Sequence, residues 1–204
     1  MLKTAVLVSG GGTNLQAIID SKARGELPSV ELCLVISSNR NAYALTRAEN
    51  AGIPTKIVIK RKTEDQEEYG LNLLKVLKEH DIELIALAGF LTILPENVVK
   101  AYDHRILNIH PSLIPAFCGK GYYGLKVHEE VLKRGVKVSG ATVHFVNEIP
   151  DGGEIIAQKA VAVEPNDTPE TLQKRIMEKA EWQLLPAALE QTAAKIQKEK
   201  NKNG

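Results

Sequence analysis

Cysteine is almost missing from this chain: Cys33 and Cys118 are the only two, and they stand far apart. That excludes a paired-cysteine zinc or redox motif and a disulfide-stapled scaffold, and both thiols are expected unpaired in a reducing cytoplasm. No apolar run approaches the length of a membrane span. Met1-Leu2-Lys3-Thr4 leads into a strand pattern without the hydrophobic region of a signal peptide. An excess of one charge is also lacking, since 26 Lys and Arg face 25 Asp and Glu, a net charge of +1. Nucleic-acid affinity rests on neutralising many phosphates, so a dedicated nucleic-acid binder is not expected.

What is present is an ordinary globular composition, 44% hydrophobic and 25% charged over 204 residues. Such a chain can bury a full core, so residues 1–204 are expected to form one domain. The Lys-rich end, from Lys195 to Gly204 in composition and about 193–204 in extent, is expected to be a frayed, solvated tail.

Val6-Leu7-Val8 runs into Ser9-Gly10-Gly11-Gly12-Thr13-Asn14, after which Leu15, Ile18 and Ile19 recur at helical spacing. Strand, glycine loop and helix are followed by more of the same alternation. Val30 to Ile36, Ile57-Val58-Ile59 and Ile82 to Ala88 read as strands; Ala42 to Ala51 and Glu64 to His80 read as helices. Strands apolar on both faces and separated by helices predict a Rossmann-like, doubly wound α/β sheet, mostly parallel. Arg105 to His110 is a further strand, stopped by Pro111 and Pro115, and Leu125 to Arg134 a helix closed by Gly135. Lys137 to Asn147 and Glu154 to Val163, joined across Pro150-Asp151-Gly152-Gly153, predict a C-terminal antiparallel portion. A last helix spans about Thr168 to Gln191, with Pro186 expected to kink or break it.

The glycine loop precedes a helix N-terminus, where free N–H groups and the helix dipole favour an anion. It is either a phosphate site or a tight turn with Thr13 or Asn14 as N-cap. The third glycine of a dinucleotide fingerprint falls on Leu15, and Ser37-Ser38-Asn39 offers no acid for a ribose hydroxyl. The Lys and Ser/Thr ending of a P-loop is also absent. A monophosphate fits better than NAD or ATP.

Asn108 and His110 are two apart on one strand, so they share a face at its carboxyl end, where open α/β sheets place their sites. Asn can donate to a developing oxyanion, and His can move a proton near neutral pH. Asp151 is a turn former by position, or a carboxylate able to hold His110 in one tautomer. Linear distance does not bring Asp151 to His110. His80, His104 and His128 have no partners at metal spacing, and a structural role outweighs support of His110 for His144.

Three segments in order carry a resemblance. Leu107-Asn108-Ile109-His110-Pro111-Ser112-Leu113-Ile114-Pro115, Gly140-Ala141-Thr142-Val143-His144-Phe145-Val146 and Asp151-Gly152-Gly153 resemble the folate-dependent formyltransferases, from about residue 3 to residue 190. Ser9 to Ile18 is similar to the branch that formylates glycinamide ribonucleotide in purine synthesis. The resemblance implies transfer of formyl from 10-formyltetrahydrofolate, as co-substrate, to the ribonucleotide's amine, with no metal or prosthetic group. It implies Asn108, His110 and Asp151 as catalytic residues. Gly12, Thr13 and Asn14 would hold the phosphate, and Glu178 and Glu181, one helical turn apart, would grip the ribonucleotide. Leu91, Thr92, Ile93 and Leu94 would line the folate pocket, opposite Asn147, Glu148, Ile149, Pro150 and Asp151, with Asn108 between them. Gln66 falls at a second folate-contact position. At both Thr92 and Gln66 better-known members carry a basic residue, for which Lys60, Arg61 or Lys62 could substitute. Phe117 to Gly124 differs from common versions, its glycines imply a mobile flap, and Cys118 is expected to pack rather than react.

Small-molecule substrates, no nucleic acid, no membrane and a monomer or weak homodimer follow from that reading. The alternatives are a methionyl-tRNA formyltransferase, a formyltetrahydrofolate hydrolase, a sugar-nucleotide formyltransferase and a non-catalytic nucleotide sensor. The first two are expected to carry an extra domain, whereas the strand pattern here begins at about residue 4. A sensor has no need of Asn108, His110 and Asp151 together.

Overall fold

The computed structural model describes residues 1–203, the last of them by its backbone only. Five strands form the parallel part of the sheet: β1 (Leu2–Val8), β2 (Val30–Ser37), β3 (Thr55–Ile57), β4 (Leu84–Leu87) and β5 (Ile106–His110). Antiparallel β6 (Val138–Phe145) and β7 (Ile155–Ala162) complete the order β3-β2-β1-β4-β5-β6-β7. The helices are α1 (Thr13–Ala23), α2 (Tyr43–Asn50), α3 (Gln66–Glu79), α4 (Glu96–Ala101), α5 (Leu125–Arg134), α6 (Pro169–Ile176) and α7 (Trp182–Asn203).

Alternation along each strand divides the core into two layers. Val6 and Val8 of β1 join Leu15 and Ile18 of α1 and Leu185 and Leu189 of α7 on one face; Ala5 and Leu7 join Leu73 and Leu77 of α3 on the other. Strand order reverses between β1 and β4, and this is where a crevice opens at the carboxyl ends of an open α/β sheet. There the two connecting loops are tied together, Ser9 N–H donating to the Gly89 carbonyl at 3.1 Å and Leu91 N–H to Ser9 Oγ at 2.9 Å.

Four local expectations change. The third strand is Thr55–Ile57 rather than 57–59, because its partner β2 ends at Ser37, which pairs with Ile57. Helix α4 has no counterpart among the predicted elements, since its six residues are too short to show a periodicity. Pro186 does not break the last helix, which continues through it. The irregularity is a π-helical segment, Met177–Glu181, upstream of it. A π turn takes in an extra residue and interrupts the i→i−4 ladder itself, so the register changes before the proline is reached.

The C-terminal segment is not frayed over its described residues. Helix α7 runs to Asn203, Ile196 is buried, Gln197 Nε2 donates to the Ser29 carbonyl at 2.9 Å, and Lys200 pairs with Glu83. The lysines lie on the outer face of an amphipathic helix whose apolar side docks on the sheet layer. Gly204 lies outside the described residues.

Candidate active site

Strand β5 carries Asn108 and His110 at its carboxyl end, as their spacing requires, with Leu107 and Ile109 packed in the opposite core layer. Antiparallel pairing sets His144 of β6 directly across from Asn108. Beyond β6 the chain turns back through Asp151, whose φ is 56°. The turn is tight enough that a Cβ on Gly153 would stand 1.8 Å from the Phe145 carbonyl oxygen. That close backbone approach delivers Asp151 to the end of β5.

The Asp151 carboxylate thereby meets both histidines. Its Oδ2 lies 3.5 Å from His110 Nδ1 and accepts the Gly119 N–H at 2.8 Å. Its Oδ1 lies 3.5 Å from His144 Nε2 and 3.4 Å from Asn108 Nδ2. His110 is 4% exposed, and its Nε2 donates to the Phe117 carbonyl at 2.8 Å. A carbonyl only accepts, so the proton of the neutral ring sits on Nε2, and Nδ1, facing Asp151, is the basic nitrogen.

Burial is the largest influence on His110 and lowers its pKa below the ordinary histidine value, although the Asp151 charge and the Phe117 carbonyl push it up. Asp151 thus makes His110 more basic by its own influence, while the sum of influences leaves the ring below the ordinary value. Burial acts on Asp151 as well, raising its pKa, but the His144 ring, the His110 charge and the Gly119 N–H together hold it below the usual carboxylate value. An ionised Asp151 beside a neutral His110 is an arrangement able to take up one proton at Nδ1 and stabilise the cation formed.

A cleft of about 520 Å³ opens beside this cluster. Leu91, Thr92, Ile93 and Leu94 line it, as do Asn108 and Asn147, Glu148, Ile149, Pro150 and Asp151. Leu91, Ile93 and Ile149 are each more than 60% exposed, an apolar rim that suits a flat aromatic ligand. Neither Gln66 nor any of Lys60, Arg61 and Lys62 lines the cleft; among the described residues Lys120, in the glycine-rich segment after Phe117, is the one lysine or arginine that does.

The glycine loop ends in Gly12 (φ 74°), which occupies the N-cap position of α1 with no side-chain cap. Thr13 and Asn14 therefore do not cap, and the first-turn N–H groups stay open to an anion. Asn14 turns instead to the C-terminal segment, its Nδ2 donating to Glu181 Oε2 at 2.6 Å. Glu178 and Glu181 are not one turn apart on an α-helix, because both lie in the π segment, where pairing is i→i+5. Glu181 is buried, whereas Glu178 is exposed beside Lys174. Burial raises the Glu181 carboxyl to about 7, against the hydrogen bond from Asn14, which lowers it.

Sequence reasoning missed three participants: His144 as a neighbour of Asn108, and the backbone of Phe117 and Gly119 as partners of His110 and Asp151. His144 shows a period-two position on β6, but register across β5 is invisible in one dimension. His128 is fully buried without a hydrogen-bond partner, and burial lowers it to about 4, so it is neutral. Among the described residues no three His, Cys, Asp or Glu side chains gather as a metal site, and no helix is long and apolar enough to cross a membrane.

The formyl transferase family model matches residues 2–189. The trifunctional purine biosynthetic protein adenosine-3 of Gallus gallus is 45% identical over 193 residues, covering 95% of this chain and 18% of that protein. The chloroplastic phosphoribosylglycinamide formyltransferase of Arabidopsis thaliana is 43% identical, covering 86% of this chain and 60% of that one. The chain thus spans less than two thirds of either relative. The crystal structure of glycinamide ribonucleotide transformylase 1 from Symbiobacterium toebii superposes with a TM-score of 0.89 at 38% identity, covering 96% of this chain and 89% of that one.

Proposed function

Since the chain belongs to the formyl transferase family, we propose that it transfers formyl from 10-formyltetrahydrofolate to the amine of 5′-phosphoribosylglycinamide, a step of purine synthesis. The observation that carries the proposal is the convergence of Asn108, His110 and Asp151 beside an apolar-rimmed cleft, in a fold whose glycine loop ends in an open helix N-terminus. The cleft takes the pterin, and the Gly12-Thr13-Asn14 corner takes the phosphate.

The amine attacks the formyl carbon, giving a tetrahedral oxyanion. Asn108 Nδ2 donates to that oxygen. The attacking nitrogen loses a proton to His110 Nδ1, the imidazolium is stabilised by Asp151, and the same proton passes to the departing folate nitrogen. Phe117 holds Nε2 throughout, which keeps the working nitrogen on the Asp151 side. Positioned donors and proton transfer each contribute about 10²–10⁴ in rate. No metal is needed in these steps. Glu181 acts on the ribonucleotide through its grip on Asn14, and Glu178 at the surface. Gln66 lies outside the cleft lining and would reach only the folate's tail. The compartment proposed is the cytoplasm, with both cysteines reduced, and the form a monomer or weak homodimer.

Mixing the protein with both substrates and following the folate absorbance tests the reading. Turnover dependent on the ribonucleotide is expected. Turnover without it would indicate a hydrolase instead, and none in either mixture would leave another acceptor or a sensor.

A further inference from the structure

His144 is 2% exposed on its side chain and has three polar neighbours, the Phe145 carbonyl on one edge of its ring and, on the other, Asn108 with Asp151 Oδ1 farther off at 3.5 Å. Its Nδ1 lies 2.8 Å from the Phe145 carbonyl, and its Nε2 lies 3.1 Å from Asn108 Nδ2. The carbonyl can only accept, so Nδ1 must carry the proton. In the neutral ring Nε2 is then an acceptor, and the Asn108 atom facing it must be a donor. The ring thereby determines which way the Asn108 amide points.

The second N–H of that amide has only the long 3.4 Å contact with Asp151 Oδ1. One hydrogen of Nδ2 is thus committed to His144, and the other is held loosely at the mouth of the cleft, available to a developing oxyanion. With the amide reversed, Oδ1 would face the Asp151 carboxylate, the incoming oxygen would meet an acceptor, and both contacts would be repulsive. The amide also stands between two acceptors, His144 Nε2 and Asp151 Oδ1, which are 3.5 Å apart.

We propose that His144 is a positioning residue: fixed in its Nδ1–H tautomer by the Phe145 carbonyl, it locks the Asn108 amide with the NH₂ group toward the reacting oxygen. The inference rests on the formyl-transfer reading for its chemistry, and on the contacts of the resting protein for its geometry. His144 does not touch the substrates; it acts through Asn108.

Two variants separate this role from simple packing. His144→Phe keeps the ring's bulk and removes the acceptor, whereas His144→Gln retains an oxygen able to accept from Asn108. The Phe variant is expected to lose about 100-fold in kcat while KM for both substrates stays within about twofold, the effect of a misplaced group near the chemistry. The Gln variant should recover most of that loss. In an Asn108→Ala background, His144→Phe should cost less than about twofold more, since the group it positions is gone. A loss that multiplies in that background, or a Gln variant as slow as the Phe variant, would overturn the proposal.

A measurement on the unmutated, resting protein guards against misfolded variants and against failure of the functional reading. Nitrogen-15 NMR of the histidine rings should find the His144 proton on Nδ1 and Nε2 bare. A proton on Nε2, alone or with one on Nδ1, would overturn the inference whatever the protein transfers. Absence of ribonucleotide-dependent turnover would overturn formyl transfer and leave the ring measurement to decide the His144–Asn108 geometry.

Discussion

Asn14, in the first turn of α1, donates to the buried carboxyl of Glu181 at 2.6 Å, joining positions 167 residues apart. The glycine loop is thus tied to the π segment, and the tie contains a group that titrates near neutrality. Glu181 rises from the ordinary 4.5 to about 7 because burial disfavours its charge. The folded state then binds more protons than the unfolded state between those values. Stability is fully present below about 4.5 and is lost as pH rises through about 7, by roughly 3 kcal/mol in all. Glu181→Gln, which mimics the neutral form, should flatten that slope in urea titrations from pH 4.5 to pH 8. An unchanged slope would mean that another group carries the pH dependence.

Gly12 cannot be tested as a phosphate ligand alone. A Cβ there would stand 2.6 Å from Ala44 Cβ and 2.8 Å from its Cα, at a φ of 74°. Gly12→Ala should therefore cost about 1–3 kcal/mol before any ligand is added. Thr13, whose hydroxyl donates to Met177 Sδ at 3.7 Å, is the cleaner probe. Thr13→Ala should keep the urea midpoint and weaken ribonucleotide binding about tenfold, the loss of one hydrogen bond to a charged group. Calorimetric titration checks the second half; unaltered affinity would place the phosphate elsewhere.

Asp151→Asn should lower kcat by about 10²–10⁴ and leave ribonucleotide affinity nearly unchanged. It should also move the acid limb of kcat/KM. Burial already lowers His110, and Asp151 opposes that, so removing the charge lets His110 fall further and shifts the limb to more acid pH. A limb that stays in place would uncouple the two residues.

Ile196 is 8% exposed within a segment whose composition is that of a solvated tail. Ile196→Ala should destabilise the protein by about 2 kcal/mol. Ending the chain after Ala194 should cost more, because the Gln197–Ser29 bond and the Lys200–Glu83 pair go with it. A urea midpoint equal to that of the full chain would show that the helix end adds nothing.

Much of the architecture was legible because it rests on local period and local sterics. Apolar runs between helical repeats announced the parallel sheet, Pro111 closed β5, and Gly135, at φ 72°, closed α5. The π segment left no such trace, since no residue type marks an i→i+5 turn. The tail misled because lysines on one helix face and lysines in a frayed end share a composition, and only Ile196 finding a buried place distinguishes them.

For the site, the sequence by itself determined that Asn108 and His110 share a face, because strand geometry allows nothing else at a spacing of two. It also determined that a helix N-terminus follows the glycine loop, although only the structure left that end without a side-chain cap. Only the tertiary structure decided that Asp151 reaches His110, that His144 stands opposite Asn108, and that Glu181 is buried against Asn14. These are contacts across 36 to 167 residues. Strand register and helix docking set them, and both are fixed by the packing of the whole core, which no local stretch of sequence contains.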